Sequence, residues 1–250
     1  MKREKHEAIV LQTWPSRERD KLVSVITPER GKVRGWVYGA RSARNRFGAS
    51  LEPLAKIRIQ IIARESDDAV RIESVDLVRS MFPAQQNLRS SLALTYMAEL
   101  VDTFSQSDEP SELVFRLLDS LCEAMLSNVP AIIAVAYAEV WMLKLAGILP
   151  SIRDCVHCGS AIEFPLTYDE AQGGFACRDC ANDRAERLPN DVSRLLSRIL
   201  KSPVGDVPTA SLRPEDLVEL RGLMTRLRRE FLGHELKSFE LLQTVLLAPP

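Results

Sequence analysis

The sequence predicts an α+β protein in which a small five-stranded barrel precedes a helical region with an embedded four-cysteine element. Three observations predict this class. Short segments rich in Val and Ile fill the N-terminal third, apolar residues then recur at helical spacing, and two C-x-x-C pairs interrupt the helical part. We therefore expect a barrel domain over residues 1–80 and a helical domain over residues 81–250, with a cysteine-knuckle insertion over residues 150–185.

Composition indicates a globular protein with an uneven charge distribution. The chain has 250 residues, 46% of them hydrophobic, and a formal net charge of -1. It has no apolar run long enough to cross a bilayer and no signal-peptide pattern, so we expect a cytoplasmic protein without a membrane span. Residues 1–80 carry 17 Lys and Arg against 11 Asp and Glu, whereas the remainder carries 16 against 23. This asymmetry predicts a basic module for an anionic partner.

Five segments of the predicted barrel domain are expected to be strands, because turn-like runs separate them. The fourth has the clearest pattern, since Ile57, Ile59 and Ile61 alternate with polar residues as in a half-buried strand. Five short antiparallel strands suit a closed barrel. The OB-fold, a Greek-key barrel used for oligonucleotides, is the first candidate, and an SH3-like barrel fits almost as well. The predicted strands are residues 7–13, 21–27, 32–38, 55–63 and 69–78.

Residues 81–87 are predicted as a linker, after which the apolar residues follow a helical period. They recur every four residues over 88–104 and again over 113–125. An almost wholly apolar segment predicts a buried helix that begins at Pro130 and ends near Gly147. Later helices are predicted over residues 190–201, 214–233 and 235–247, the second of them from the start signal Pro214-Glu215-Asp216.

Two cysteine pairs form the most specific motif. The pairs CVHC and CRDC flank the segment 159–176, whose length lies within the range typical of zinc sites. Four thiolates complete a tetrahedron around one Zn²⁺ and leave no position for water, so we expect one structural ion. His157, between two of the cysteines, is not expected to be a ligand, and a redox pair or chance spacing is the alternative. The predicted ligands are Cys155, Cys158, Cys177 and Cys180.

A basic stretch predicts a second site. Six cations and no acid lie from Arg30 through Leu51. One face of the predicted strand 32–38 carries cations together with Trp36, which suits single-stranded nucleic acid, because cations contact phosphates and rings stack on bases. Two alternatives stay open. A bulge at Gly35 would turn Trp36 into the core, and the arginines would otherwise form a solvated loop without a ligand.

The sequence contains no recognisable catalytic constellation. It lacks the phosphate-binding loop, the nucleophile elbow and the metalloprotease motif, and its three histidines are scattered. We therefore expect a binding protein and not an enzyme. A zinc-ribbon protein associated with RNA or transcription is one alternative, but residues 150–187 carry four arginines against seven acids. A metal-dependent nuclease is the other, and it would need carboxylates that converge on a metal.

Four collinear stretches of the chain resemble the RecO family of bacterial recombination mediators in DNA repair. They are residues 18–54, 87–104, 147–159 and 173–180, of which the long basic stretch and GILPSIRDCVHCG are the specific parts. The resemblance implies an N-terminal OB-fold, a helical domain and a zinc element that some members lack. It also implies the DNA contacts Arg30, Lys32, Arg34, Arg41, Arg44 and Arg46, to which the strand pattern adds Trp36.

The same resemblance implies an activity and partners. A RecO-like protein is expected to bind single- and double-stranded DNA and to anneal complementary strands. It is expected to act in the cytoplasm, at the nucleoid, with RecR and single-stranded DNA-binding protein (SSB), so that RecA loads on coated DNA. No motif places the pocket for the acidic tail of SSB.

Overall fold

The fold is that of a computed structural model, which describes residues 2–16, 18–42, 47–63, 69–207 and 212–246. Contacts within the chain define two compact units. The first unit comprises residues 1–135 and 236–250, and the second unit comprises residues 136–235. The division between residues 1–80 and 81–250 stays a prediction. Among the described residues, the helices are too short or too polar to cross a lipid bilayer.

Five strands form a closed barrel in the first unit, as the sequence predicted. They are β1 (Lys2–Ser16), β2 (Asp20–Thr27), β3 (Gly31–Val37), β4 (Lys56–Ala63) and β5 (Val70–Arg79). Around the barrel the order is β1-β2-β3-β5-β4, and β4 pairs with β1 to close it. All pairs are antiparallel except β3 with β5, which is a short parallel pair. This is the five-stranded OB-fold, and the SH3-like alternative is wrong.

Alternating burial places an apolar core inside the barrel. In β4, Ile57, Ile59 and Ile61 are buried while Arg58 is exposed, which confirms the predicted half-buried strand. Aliphatic side chains from the other four strands, together with Phe47 and Leu51 from the connection between β3 and β4, fill the remaining core. Each fully buried side chain of this size contributes roughly 1.5–3 kcal/mol of hydrophobic stabilisation.

Seven α-helices follow the barrel in the described part of the chain. They are α1 (Phe82–Gln85), α2 (Leu88–Phe104), α3 (Glu112–Leu126), α4 (Ala131–Leu145), α5 (Asn190–Ile199), α6 (Pro214–Leu232) and α7 (Phe239–Leu246). The prediction of a linker over residues 81–87 is wrong for residues 82–85, which form α1. Proline near the N-terminus of α1 favours a helical start, and Met81 is fully buried just before it.

Caps and a start signal fix several helix boundaries, although the last helix begins at Phe239 and not at residue 235 as predicted. Asn87 caps α2, because its side-chain oxygen accepts a hydrogen bond from the Ser90 N–H at 3.2 Å. Pro214 begins α6, and Gly233 ends it with a φ of 71°. The apolar stripes are less regular than predicted, since Leu88 and Leu113 are 64% and 61% exposed in the first turns of their helices.

The first two helices of substantial length cover one end of the barrel's outward surface. α2 packs against β1 and β2, and α3 packs against β2. Ile9 and Ile26 lie opposite each other on β1 and β2, and both are fully buried.

Asp119 of α3 lies 2.8 Å from Nζ of Lys56 and 2.7 Å from a guanidinium nitrogen of Arg79. The hydrogen bond from Lys56 to Asp119 raises the pKa of that lysine.

The segment between α2 and α3 completes the barrel wall where β5 does not reach. β3 pairs with β5 only at Gly35 and Trp36. At its other end, the Lys32 N–H donates to the Gln106 carbonyl, and the Asp108 N–H donates to the Lys32 carbonyl, both at 3.2 Å. Gly31 is required at this contact, because a Cβ atom there would lie 1.9 Å from the Glu109 carbonyl oxygen.

The second unit contains a small three-stranded sheet and packed helices. The sheet is formed by β6 (Thr167–Asp169), β7 (Gly174–Ala176) and β8 (Glu186–Arg187), with β6 in the centre. β6 and β7 form an antiparallel hairpin between the two cysteine pairs. Within the helices, Glu139 is buried and lies 3.0 Å from Nε of Arg221 and 3.5 Å from a guanidinium nitrogen of Arg228.

Candidate nucleic-acid interface and metal centre

β3 keeps strict alternation along its length. Val33, Gly35 and Val37 face the core and are buried, whereas Arg34 is exposed and Trp36 is half-buried. The pairing of β2 with β3 has no register shift. The alternative of a bulge at Gly35 is therefore wrong, and Trp36 lies on the outward face of the barrel.

Gly35 permits the close approach of β3 and β5. A Cβ atom on Gly35 would lie 2.6 Å from both Cγ1 and Cδ1 of Ile72, and 3.2 Å from Cγ2 of Val70. Cβ atoms essentially never approach other atoms so closely, so only glycine fits without a shift of β5. The residue that the sequence marked as a possible bulge is therefore a packing requirement of the barrel.

An aromatic and basic row crosses four strands at the end of the barrel opposite the buried Ile9–Ile26 pair. Trp14 of β1 pairs with Leu22 of β2, Leu22 pairs with Trp36 of β3, and Trp36 pairs with Arg71 of β5. Directly paired residues present their side chains on the same face of a sheet. Trp14 is 38% exposed and Tyr38 is 46% exposed, and the Arg71 guanidinium lies 5.5 Å from the Tyr38 ring centre.

Two of the residues predicted to contact DNA, Arg30 and Lys32, interact with acidic side chains or carbonyl groups of the first unit. The Arg30 guanidinium pairs with Asp108, with Nε donating at 3.0 Å, and also lies 3.4 Å from a carboxylate oxygen of Glu4. The Lys32 amino group donates to the main-chain carbonyl of Asp102. Burial lowers the pKa of Lys32, although the Asp102 charge opposes the change. These contacts attach the start of β3 to the helices.

Two other predicted contacts lie on β3 and in the turn that follows it. Arg34 and Arg41 are exposed. The Arg41 N–H donates to the Arg19 carbonyl at 2.9 Å, which fixes the start of the loop after β3. Arg44 and Arg46 lie outside the described residues.

Sequence reasoning missed Trp14 and Arg71 as members of this surface. Both lie in segments predicted as strands or their flanks, but their alignment with Trp36 depends on strand register and on the parallel β3–β5 pair. The sequence offered one signal, because Trp14 lies near the end of the first strand and close to a turn, as Trp36 does in the third. That signal is weak without the register.

The four predicted metal ligands come together in the second unit. The Sγ atoms of the two C-x-x-C pairs all lie within 4.8 Å of one another. Cys158 Sγ and Cys177 Sγ are 3.8 Å apart, which is far too long for a disulfide. Four sulfurs at about 2.3 Å from a central Zn²⁺ have edges of about 3.8 Å, so the donor set fits zinc.

The environment of the thiols favours a cation among them. The Cys177 N–H donates to Cys155 Sγ at 3.2 Å, and this hydrogen bond is the main reason that the pKa of Cys155 falls to about 6. The pKa of Cys180 instead rises to about 12, chiefly through its hydrogen bond with Cys158. Four thiols this close ionise together only when a positive ion offsets their mutual repulsion.

Asp169 connects the two knuckles independently of the sulfurs. Its Oδ2 accepts hydrogen bonds from Nδ2 of Asn182 and from His157, whose Nε2 lies 3.0 Å away. Its Oδ1 accepts from the Ala171 N–H at 3.1 Å. His157 lies in the first knuckle, Asn182 follows the second, and Asp169 ends β6. The imidazole therefore contacts this carboxylate rather than the sulfur cluster.

Comparison with known proteins finds one family over both parts of the chain. The family model described as "Recombination protein O N terminal" matches residues 1–81, and "Recombination protein O C terminal" matches residues 85–240. Curated relatives named DNA repair protein RecO are similar over nearly their whole length. Those from Koribacter versatilis and Geobacter metallireducens are 29% and 31% identical over 238 and 243 residues. These alignments cover 94% and 96% of this chain, and 96% of each relative.

Proposed function

The chain belongs to the RecO family of DNA repair proteins, and from that premise we propose that it is a non-enzymatic recombination mediator. It binds single- and double-stranded DNA and anneals complementary strands. With RecR, it helps RecA to load on DNA coated by SSB. The observation that carries the proposal is the outward-facing aromatic and basic row on an OB-fold barrel.

The proposed DNA site combines phosphate contacts with base stacking. Arg34, Arg41, Arg44 and Arg46 neutralise phosphates, and Trp36 stacks on a base, worth roughly 1–3 kcal/mol. Arg30 and Lys32 are the weaker proposed contacts, because Arg30 pairs with Glu4 and Asp108, and Lys32 donates to a main-chain carbonyl. Such a surface lowers the repulsion between two strands that must approach each other, so annealing needs no covalent step.

The proposed metal is one structural Zn²⁺ held by the four cysteine thiolates. Zn²⁺ with four sulfur ligands stabilises a fold and offers no position for a substrate. Around it, Asp169 orients both knuckles, and the Cys177 N–H supports the Cys155 thiolate. The four sulfur ligands favour Zn²⁺ over hard cations, because hard cations prefer oxygen ligands.

The proposed partners follow from the family and not from a located pocket. RecR and SSB would bring the protein to single-stranded gaps, and its place of action is the nucleoid in the cytoplasm. The two alternatives make different predictions. A zinc-ribbon reader would depend on the arginines beside the knuckles, and a nuclease would degrade labelled strands when Mg²⁺ or Mn²⁺ is added. We expect the strands to stay intact and to anneal faster.

The test compares two exposed arginines on different strands of the barrel. Arg34→Ala removes a proposed phosphate contact from β3, and Arg58→Ala removes the same charge from the outward face of β4. We expect Arg34→Ala to weaken single-strand binding about fivefold and to make the log–log salt slope shallower by about 0.7. Fluorescence anisotropy at several salt concentrations measures both quantities.

The matched variant decides whether position or net charge matters. Arg58→Ala should leave the salt slope unchanged. Replacing Arg41, Arg44 and Arg46 together by Ala should reduce the slope by about 2, equally for different sequences. Equal losses for Arg34→Ala and Arg58→Ala would show that binding is diffuse over the barrel, and the proposed site would be refuted.

A further inference from the structure

A row of cations lies on the accessible face of α5 in the second unit. Arg194, Arg198 and Lys201 are exposed and are separated by four and three residues, so they lie on one side of the helix. The Lys201 N–H donates to the Arg198 carbonyl at 3.0 Å, which continues the helical turn past Ile199. These three residues, which we call the α5 basic stripe, span about 10 Å along the helix axis.

The α5 basic stripe differs from the other cations of the helices around it. Arg213 lies 3.2 Å from Asp191, the acid of α5, and pairs with Asp216 as well. Arg226 pairs with Glu186. In contrast, within the described part of the chain the three stripe cations form no ion pair. The second unit as a whole carries 13 Lys and Arg against 15 Asp and Glu, so its net charge does not explain the stripe.

Aromatic residues of α4 hold the last turn of α5 in place. Nε1 of Trp141 donates to the Ile199 carbonyl at 3.0 Å, and the Tyr137 hydroxyl donates to the Ser202 carbonyl at 3.1 Å. These bonds satisfy main-chain carbonyls at the end of a helix. Nζ of Lys144 lies 4.6 Å from the Trp141 ring centre and adds a fourth positive charge beside this turn. The cations therefore project from a fixed backbone.

We infer that the α5 basic stripe is a second site for the DNA backbone, which receives the other strand during annealing. This inference rests on the proposed function. A strand bound at the barrel repels a second strand, so a separate cationic surface that holds the second strand lowers the barrier to pairing. Cations at intervals of one helical turn suit a chain of phosphates, as in other backbone contacts.

The composition of the exposed face favours nucleic acid over a peptide. The accessible positions of α5 are all polar, and they consist of Asn190, Asp191, Arg194, Arg198 and the following Lys201. An acidic peptide could also contact these cations, but protein interfaces draw most of their binding energy from anchors in apolar pockets, and this face has no apolar position. A phosphate backbone needs only charge, and without aromatic residues on this face, the site should not distinguish single from double strands.

The experiment uses the full chain with Arg194, Arg198 and Lys201 all replaced by Ala. Alanine favours helix and the positions are exposed, so the fold should be kept, which circular dichroism checks. Two dye-labelled complementary strands report the annealing rate by energy transfer. We expect this rate to fall about tenfold and its salt slope to become shallower by about 2. Affinity for one labelled single strand should stay within about threefold of the parent, because the barrel site is intact.

The control removes the same charge elsewhere in the second unit. Arg153, Arg184 and Arg187 are exposed in the acidic zinc region, and their triple replacement by Ala should leave annealing unchanged. Equal annealing by the parent, the control and the stripe variant would overturn the inference while leaving the proposed function standing. A defect seen only with SSB-coated strands would assign the stripe to a protein instead. If the parent itself neither binds nor anneals naked strands, the proposed function fails, and this inference fails with it.

Discussion

Gly35 illustrates how one residue sets the geometry of the candidate DNA surface. Its lack of a side chain lets β3 lie against Ile72, and this contact brings Arg71 beside Trp36. The sequence marked Gly35 as unusual for a strand but left its cause open. The cause is a contact with a residue two strands further along the chain, which no local pattern encodes.

Gly35→Ala should therefore destabilise the protein through overpacking. We expect a loss of about 1–3 kcal/mol in the free energy of unfolding, since the new methyl group must displace Ile72 or β5. Chemical denaturation followed by circular dichroism measures the change.

Gly222→Ala is the matched control for this substitution. Gly222 lies in α6 with no atom near its Cβ position, so alanine should stabilise the helix by about 0.5–1 kcal/mol. If Gly35→Ala were as harmless as Gly222→Ala, the close approach of β3 and β5 would not constrain the barrel.

At the scale of elements, local signals predicted most of the fold and long-range pairing supplied the rest. The caps at Asn87 and Gly233 and the spacing of the four cysteines are local, and the corresponding elements were predicted. Register and strand order are not local. Hence Trp14 and Arg71 were not predicted to lie beside Trp36.

The zinc element should depend on all four sulfurs. Cys177→Ser should abolish stoichiometric metal binding and increase amide hydrogen exchange over residues 154–187, because only a few side chains of this region, such as Tyr168 and Phe175, form a core. Elemental analysis and exchange mass spectrometry measure these effects. Single-strand binding at the barrel should stay within a few fold of the parent.

Cys122→Ala separates this effect from the loss of any cysteine. Cys122 is buried in α3, outside the sulfur cluster, and burial raises its pKa to about 12. This variant should retain one metal ion per chain. A Cys177→Ser protein that kept both its metal and its protection from exchange would contradict the proposed ligand set.

At the scale of the whole molecule, the surplus of basic side chains in residues 1–80 has two roles. The sequence suggested that the basic surplus of residues 1–80 serves an anionic partner. Part of that surplus is used inside the first unit, where Asp108 pairs with Arg30, and Asp119 pairs with Lys56 and Arg79. Other cations of this part of the chain are exposed, among them Arg34 and Arg71 on the strands where the DNA site is proposed. Composition alone does not separate these two roles.

A fragment of residues 1–80 should consequently fold poorly. It would lose the segment that pairs with the start of β3, the helix α2 that covers Ile9 and Ile26, and the carboxylate of Asp119. We expect no cooperative thermal transition for the fragment, in contrast to the full chain, and circular dichroism checks this. A cooperative transition at the temperature of the full chain would show that the barrel is autonomous.

The short pairing of β3 with β5, which residues 105–111 extend, also limits which segments can be exchanged between related proteins. A chimera joined at residue 80 would place a foreign segment against the Lys32 main chain and against Gly31, where a Cβ atom would lie 1.9 Å from the Glu109 carbonyl oxygen. Exchange of the barrel between homologues should therefore be tolerated only when residues 105–111 come from the same protein as the barrel. The smallest unit that keeps these contacts is the barrel together with residues 105–111.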